Sequence, residues 1–170
     1  MVIDLSSLAV KKLDYNADLS QFKCKSQEIQ DFLAEYALIF QTESLGVTYI
    51  VYSNSKMVGF FTISMDSLRI RKMNTEDRIG YMNIDYYPSI KIGQLCVDMD
   101  CERQRIGKFM LTVICGIGMD FSEKIGCRFL SVNAVPTAQA WYEKCGFTPL
   151  KDQTGRDKLS YYLDISKLDQ

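Results

Sequence analysis

Histidine is absent from this 170-residue chain. That absence removes every Ser–His and Cys–His nucleophile arrangement and the commonest metal ligand. Any catalysis must move protons through Tyr, Asp, Glu, Cys, Lys or water. None of the six cysteines (Cys24, Cys96, Cys101, Cys115, Cys127, Cys145) forms a CxxC pair, so neither a zinc site nor any other metal is expected. No apolar segment approaches the ~18 residues that a membrane span needs, and no N-terminal run resembles a signal peptide. The cysteines therefore read as reduced thiols in a cytoplasmic protein without membrane contact, mostly buried as small hydrophobes. A strong positive charge is missing too. The net charge is −1 and the pI is near 5.5, which argues against a globally basic nucleic-acid binder but leaves room for a local basic patch. The chain shows no repeat, low-complexity tract or linker.

What is present is enough for a full core. Hydrophobic residues make up 47% of the chain, and a single domain over residues 1–170 is the simplest organisation. Val2 to Val10 reads as a weak strand. Ser26 is placed to cap a helix in which Ile29, Phe32, Leu33, Tyr36, Ala37 and Phe40 recur at 3–4 spacing, with Gly46 ending it. Val47–Tyr52 and Met57–Met65 flank Ser53-Asn54-Ser55, a hairpin pattern. Residues from about Ser67 to Pro88 lack a period and read as a long connection, with a short helix around Asn74–Arg78. Ile106 to Phe121 carries the apolar stripe of a helix, in which Gly107, Gly116 and Gly118 imply close approach to the backbone. Phe129–Val135 is a strand, Pro136 opens a helix that Gly146 closes, and Phe147–Leu150 with Leu159–Ile165 form a last hairpin. Strands interleaved with helices imply an α/β or α+β layered domain with a mixed sheet.

The most informative stretch is KIGQLCVDMDCERQRIGKFM, Lys91 to Met110. A buried strand runs into a short basic loop, a glycine and a helix. Unpaired N–H groups and the positive dipole end of that helix make an anion site, most often for phosphate. Within the strand, Ile90 and Ile92 share one face while Leu95 and Val97 have the other parity. A β-bulge at Gly93-Gln94 accounts for that slip; a strand buried on both faces is the alternative.

The chain resembles the GNAT family of N-acetyltransferases. The resemblance rests on the LCVD strand (Leu95–Asp98), the ERQRIG loop (Glu102–Gly107), the SVNAV strand (Ser131–Val135) and WYEKCGF (Trp141–Phe147). The N-terminal FKCKSQEIQDFL and the hairpin Gly46–Tyr52 and Val58–Ser64 resemble one branch of that family. This branch holds stand-alone acetyltransferases and toxins that acetylate aminoacyl-tRNA. The resemblance implies a mostly antiparallel sheet with a bulged strand and helices on both faces. It also implies acetyl-CoA as co-substrate.

Carried over, Arg103, Gln104, Arg105, Ile106, Gly107 and Lys108 cradle the pyrophosphate. Leu95, Cys96 and Val97 pair with pantetheine, where an N–H polarises the thioester carbonyl as an oxyanion hole does. Asn133 contacts the cofactor arm, and Tyr142 protonates the leaving thiolate. Two positions depart from the family pattern: Glu102 stands where Gln or Arg is usual, and Arg105 where the first glycine is usual. An arginine at 105 calls for a negative φ unless strain is tolerated. Glu43, Asp66 and Glu102 are candidates for a general base, and an amine of lowered pKa needs only water to take its proton.

Three readings of function follow, in this order. The first is acetylation of a primary amine on a small molecule or protein. The second is toxin-like acetylation of the aminoacyl-tRNA amino group, which Arg69, Arg71, Lys72 and Arg78 favour as a basic edge and the acidic balance of the chain opposes. The third is a CoA-binding module without catalysis, suggested by the two departures and opposed by Tyr142. The terminal strands offer a route to a homodimer that no particular residue fixes.

Overall fold

The computed structural model describes residues 3–168. Seven strands form one sheet in the order β1-β2-β3-β4-β5-β7-β6. They are β1 (Leu8–Lys12), β2 (Val47–Ser53), β3 (Lys56–Arg69), β4 (Tyr86–Val97), β5 (Phe129–Ala134), β6 (Thr148–Pro149) and β7 (Leu159–Asp164). β1 with β2, β2 with β3, β5 with β7 and β6 with β7 pair antiparallel, and β4 with β5 pairs parallel. The expected mixed, mostly antiparallel sheet is what forms.

Several boundaries moved. The first strand starts at Leu8, after a 3-10 turn at Leu5–Ser7; Val2, where a strand was expected, lies outside the described residues. β3 runs on to Arg69, so the long connection is shorter than expected and holds two 3-10 turns, Ile70–Lys72 and Thr75–Asp77.

The chain divides into two compact units, Met1–Ser64 with Gly93–Val113, and Met65–Ile92 with Ile114–Gln170. In the first, Ser26 caps the first helix as expected, its Oγ accepting from Ile29 N–H. That helix, however, is broken into α1 (Gln27–Asp31), a π turn (Phe32–Tyr36) and α2 (Ala37–Thr42). It stops at Thr42 rather than at Gly46, because Ser44 takes the left-handed turn at φ +58°.

Leu33 and Ala37 pack with Phe22, Ile50, Phe60 and Cys96 in one buried cluster. Beside Phe60 on β3, Gly59 points to the opposite face. A Cβ there would meet the Cys96 carbonyl at 3.0 Å and the thioether of Met110 at 3.3 Å. Met110 belongs to α3 (Ile106–Lys124), so helices cover both faces of this unit's strands.

In the second unit, Gly118 of α3 would place a Cβ 3.3 Å from Leu130 and Ile165 side chains. Close approach is therefore found at Gly118; at Gly116 nothing lies within 4 Å. Tyr87 stacks on Phe129, whose edge meets Tyr162, and Leu68 and Met73 complete the cluster. Pro136 opens α4 (Pro136–Lys144), and Gly146 at φ +91° ends it, both as expected.

Asp77 fastens the long connection to this cluster. Its carboxylate accepts from Tyr162 Oη and from Lys167 Nζ, each at 2.6 Å. Burial opposes its charge, but the Lys167 and Tyr162 contacts prevail and hold its pKa below the ordinary 3.8. A folded-state pKa that is depressed adds stability above the ordinary value and loses it as pH falls through the folded one. Acid unfolding of the wild type is thus expected to steepen below pH 3.8. Asp77→Asn is expected to flatten that segment of a stability–pH curve; an unaltered curve would free Asp77 of this role.

Candidate active site

The residues expected to hold the donor's phosphates gather at the start of α3 in the first unit. Asp98 anchors the approach to them. It is fully buried, and its carboxylate accepts from Lys23 N–H and Asp100 N–H, both at 3.0 Å. After the turn Met99–Cys101 the chain bends through Glu102, and Arg103 takes φ +61° and Arg105 φ +63°. The expectation of a negative φ at Arg105 is therefore corrected. The arginine adopts the left-handed conformation that a glycine would adopt there, at a strain of about 1–3 kcal/mol.

Neighbouring ties hold the loop in that shape. Gln104 Oε1 accepts from Ile3 N–H at 2.8 Å. Lys25 Nζ meets Glu102 at 2.5 Å. That second contact also changes the electrostatics: Glu102 has its own cation, so its charge does not stand uncompensated beside an anion.

Arg105 C=O accepts the first helical bond, from Phe109 N–H at 3.0 Å. The N–H groups of Ile106, Gly107 and Lys108 come before that bond and have no acceptor within the helix. Left-handed turns followed by free helix-start donors form a concave anion cradle. Arg103, Arg105 and Lys108 are exposed and make no ion pair among the described residues.

Leu95, Cys96 and Val97 end β4. Its parallel pairing with β5 runs from Ser89 to Ile92 and stops where the Gly93-Gln94 bulge was expected. Burial does not show the anticipated slip, since Ile90, Ile92 and Cys96 keep one parity while Leu95 and Val97 are half-buried.

One expectation fails outright. Cys24 and Cys96 are disulfide-bonded, with Cα atoms 6.7 Å apart across 72 residues of sequence, while Cys101, Cys115, Cys127 and Cys145 are free thiols. No local spacing marks a pair so distant. The tertiary approach of segment 22–24 to the end of β4 creates it.

The second unit contains Asn133 and Tyr142. Asn133 is exposed, its Oδ1 accepting from Ser160 Oγ at 2.8 Å. Tyr142, rather than Trp141, is the more deeply buried of the pair. Its ring meets Trp141 and Phe147 edge-on at 4.9 and 5.3 Å. Burial raises the phenol pKa well above its ordinary value, so this group stays a protonated donor. Asp66 accepts from Ser131 Oγ at 2.6 Å.

The basic edge has partly different work. Arg78 Nη2 donates to the carbonyls of Arg71 and Met73 at 2.9 and 2.7 Å, which spends it on the connection. Arg69 lies over the Tyr86 ring at 5.8 Å, beside a cavity of about 230 Å³ that Arg71, Ile84 and Asp85 also line. Tyr81 is 90% exposed. Tyr86, the aromatic beside Arg69 on this edge, was not singled out from sequence. Among the described residues no cluster of three metal-ligating side chains occurs, and no helix is long and apolar enough to cross a membrane.

A strand that runs through a basic left-handed turn into a helix start, within a mixed sheet, makes an anion-binding strand–turn–helix unit. The model of the "Acetyltransferase (GNAT) domain" matches residues 44–149, and the chain belongs to the GNAT family, as an acyltransferase. No curated protein is significantly similar in sequence. Solved structures are similar in fold. AtaT complexed with acetyl-methionyl-tRNAfMet shares 18% identity over 95% of this chain and 97% of its own, at a TM-score of 0.86. A tyrosine-to-phenylalanine mutant of KacT shares 18% over 96% and 98%, at 0.87. A mutant AtaT toxin bound to the C-terminus of the antitoxin AtaR and acetyl-CoA shares 19% over 95% and 96%, at 0.76.

Proposed function

We propose that this protein is a cytoplasmic N-acetyltransferase that moves the acetyl group of acetyl-CoA directly to a primary amine. The observation that carries the reading is the loop at Arg103–Arg105. Strain held by an arginine in a left-handed turn persists where surrounding contacts enforce it, and such strain clusters at ligand sites. In this reading the N–H groups of residues 103–108 hold the pyrophosphate, with the side chains of Arg103, Arg105 and Lys108 supplying charge. Gln104 secures the loop through Ile3. The main chain of Leu95, Cys96 and Val97 pairs with pantetheine, and an N–H there polarises the thioester carbonyl. Asn133 contacts the cofactor arm.

The amine nitrogen attacks the thioester carbon, a C–N bond forms, and the C–S bond breaks. Tyr142 donates a hydrogen bond to the departing sulfur, and the proton lost by the amine reaches that thiolate through water. A covalent acetyl-cysteine is not needed, since Cys96 is tied in a disulfide and no histidine exists to activate it. The first acceptor class is a small molecule or protein amine.

A second, narrower reading puts the amine on an aminoacyl-tRNA. The half-exposed Tyr86 with Arg69 over its ring, and Arg71 beside the same cavity, favour it, because aromatic platforms beside cations suit single-stranded nucleic acid. AtaT, similar in fold, was solved with acetyl-methionyl-tRNAfMet.

Release of CoA thiol from acetyl-CoA, followed over a panel of small amines, peptides and aminoacyl-tRNAs, tests both readings. Turnover with an amine supports the first. Turnover confined to aminoacyl-tRNA and falling steeply with salt supports the second. No affinity for coenzyme A at millimolar concentration overturns both.

A further inference from the structure

We propose that the Cys24–Cys96 disulfide is a reversible exchange site for small-molecule thiols, and that its oxidised form binds acetyl-CoA more tightly. The second half rests on the acetyl-CoA reading above.

The two sulfurs differ in access. Cys96 is 9% exposed and sits within the cluster of Phe22, Leu33 and Phe60, while Cys24 is half-buried at its edge. An incoming thiolate therefore reaches Cys24. Its sulfur bonds to Cys24 Sγ, the protein S–S bond breaks, and Cys96 leaves as a thiolate that takes up a proton. A second thiolate then attacks the mixed disulfide, releasing the Cys24 thiol and a small-molecule disulfide. Two electrons have passed from two thiols to the protein. Oxidation is the reverse, with a small-molecule disulfide as oxidant.

The surroundings make the exchange reversible. Segment 22–24 stays docked without the cross-link, because Lys23 N–H donates to Asp98 at 3.0 Å and Met99 N–H to the Lys23 carbonyl at 2.9 Å. Cys24 N–H also donates to Gln30 Oε1 at 2.8 Å, and Gln30 Nε2 to the Phe22 carbonyl at 3.1 Å. Two thiols held that close re-form the bond at high effective concentration. Three of the other thiols are poor competitors: burial pushes Cys101, Cys115 and Cys127 up, suppressing their thiolates. Disulfides in a cytoplasmic protein are usually transient, catalytic or redox-sensing.

The consequence for binding follows from where Cys96 lies. It is flanked by Leu95 and Val97, so the cross-link ties the cofactor-pairing end of β4 to the chain that enters α1. A strand end already fixed loses less freedom when a ligand pairs with it.

The experiment compares protein reduced with millimolar glutathione, protein oxidised with glutathione disulfide, and Cys24→Ser under both treatments. Thiol titration after denaturation should give six thiols reduced and four oxidised, with peptide mapping locating the bond at 24–96. Calorimetry should show acetyl-CoA bound about fivefold more tightly by the oxidised form, and Cys24→Ser should match the reduced form whatever the treatment. Four thiols persisting in reduced glutathione overturn the exchange. Equal affinities with the cross-link verified overturn the effect on binding and leave the acetyl-CoA reading standing. Absence of binding in every form overturns that reading and the dependent half of this proposal, while the thiol count still decides the exchange.

Discussion

Replacing Tyr142 with phenylalanine is expected to lower turnover by roughly 100- to 1,000-fold while acetyl-CoA affinity stays within about twofold. The change deletes one oxygen from a side chain whose packing against Trp141 and Phe147 is through the ring. The ring contacts are kept and the volume hardly changes, so stability should hold. What disappears is a donor. Burial keeps the phenol protonated far beyond neutral pH, so it presents its hydrogen at every pH where the protein works. A raised pKa also limits how completely it gives that proton up. Its contribution is thus a hydrogen bond that strengthens as charge grows on the departing sulfur, with the amine supplying the proton of the net reaction. Such a bond matters little to the bound thioester and much to the transition state, which is why kcat should fall and Kd should not. Steady-state kinetics beside acetyl-CoA calorimetry separate the two. Turnover preserved in Tyr142→Phe would take Tyr142 out of the chemistry.

Much of the architecture was legible from sequence because its signals are local. The β-branched and aromatic run of β2, the Asn54-Ser55 turn with both residues at positive φ, the apolar stripe of α3 and the Pro136–Gly146 bracket of α4 need no distant residue to be read. The π turn at Phe32–Tyr36 was not legible. One residue added to a turn rotates the pattern, and Phe32, Leu33, Tyr36, Ala37, Leu38 and Phe40 present apolar side chains in both phases. Burial on β4 was misleading for a similar reason, since Leu95 and Val97 are apolar yet only half-buried.

At the candidate site the split is sharper. The strand–loop–helix order was readable. Glu102's partner Lys25 and Gln104's partner Ile3 come from distant parts of the chain, as does the disulfide. These long-range ties decide how the loop is charged and shaped, and no spacing encodes them.

The left-handed arginines of this loop are held in shape by those ties. Arg105→Pro is expected to weaken acetyl-CoA binding by about 100-fold, on the scale of the ~3 kcal/mol that a misplaced proline costs. The ring locks φ near −65°, opposite in sign to the observed +63°, and it removes one of the N–H groups assigned to the pyrophosphate. Arg105→Gly makes the informative contrast. Glycine adopts φ +63° without strain and keeps the N–H, losing only an exposed cation worth ~1 kcal/mol or less. If backbone shape holds the diphosphate, the glycine variant should bind within about fivefold of wild type, and the proline variant should not. If side-chain charge dominates instead, both variants should weaken binding alike. Calorimetry at two salt concentrations reads the difference, because a charge contribution fades with screening and a shape contribution does not. Undiminished affinity in Arg105→Pro would show that the turn does not hold the phosphates, and the strain there would need another explanation.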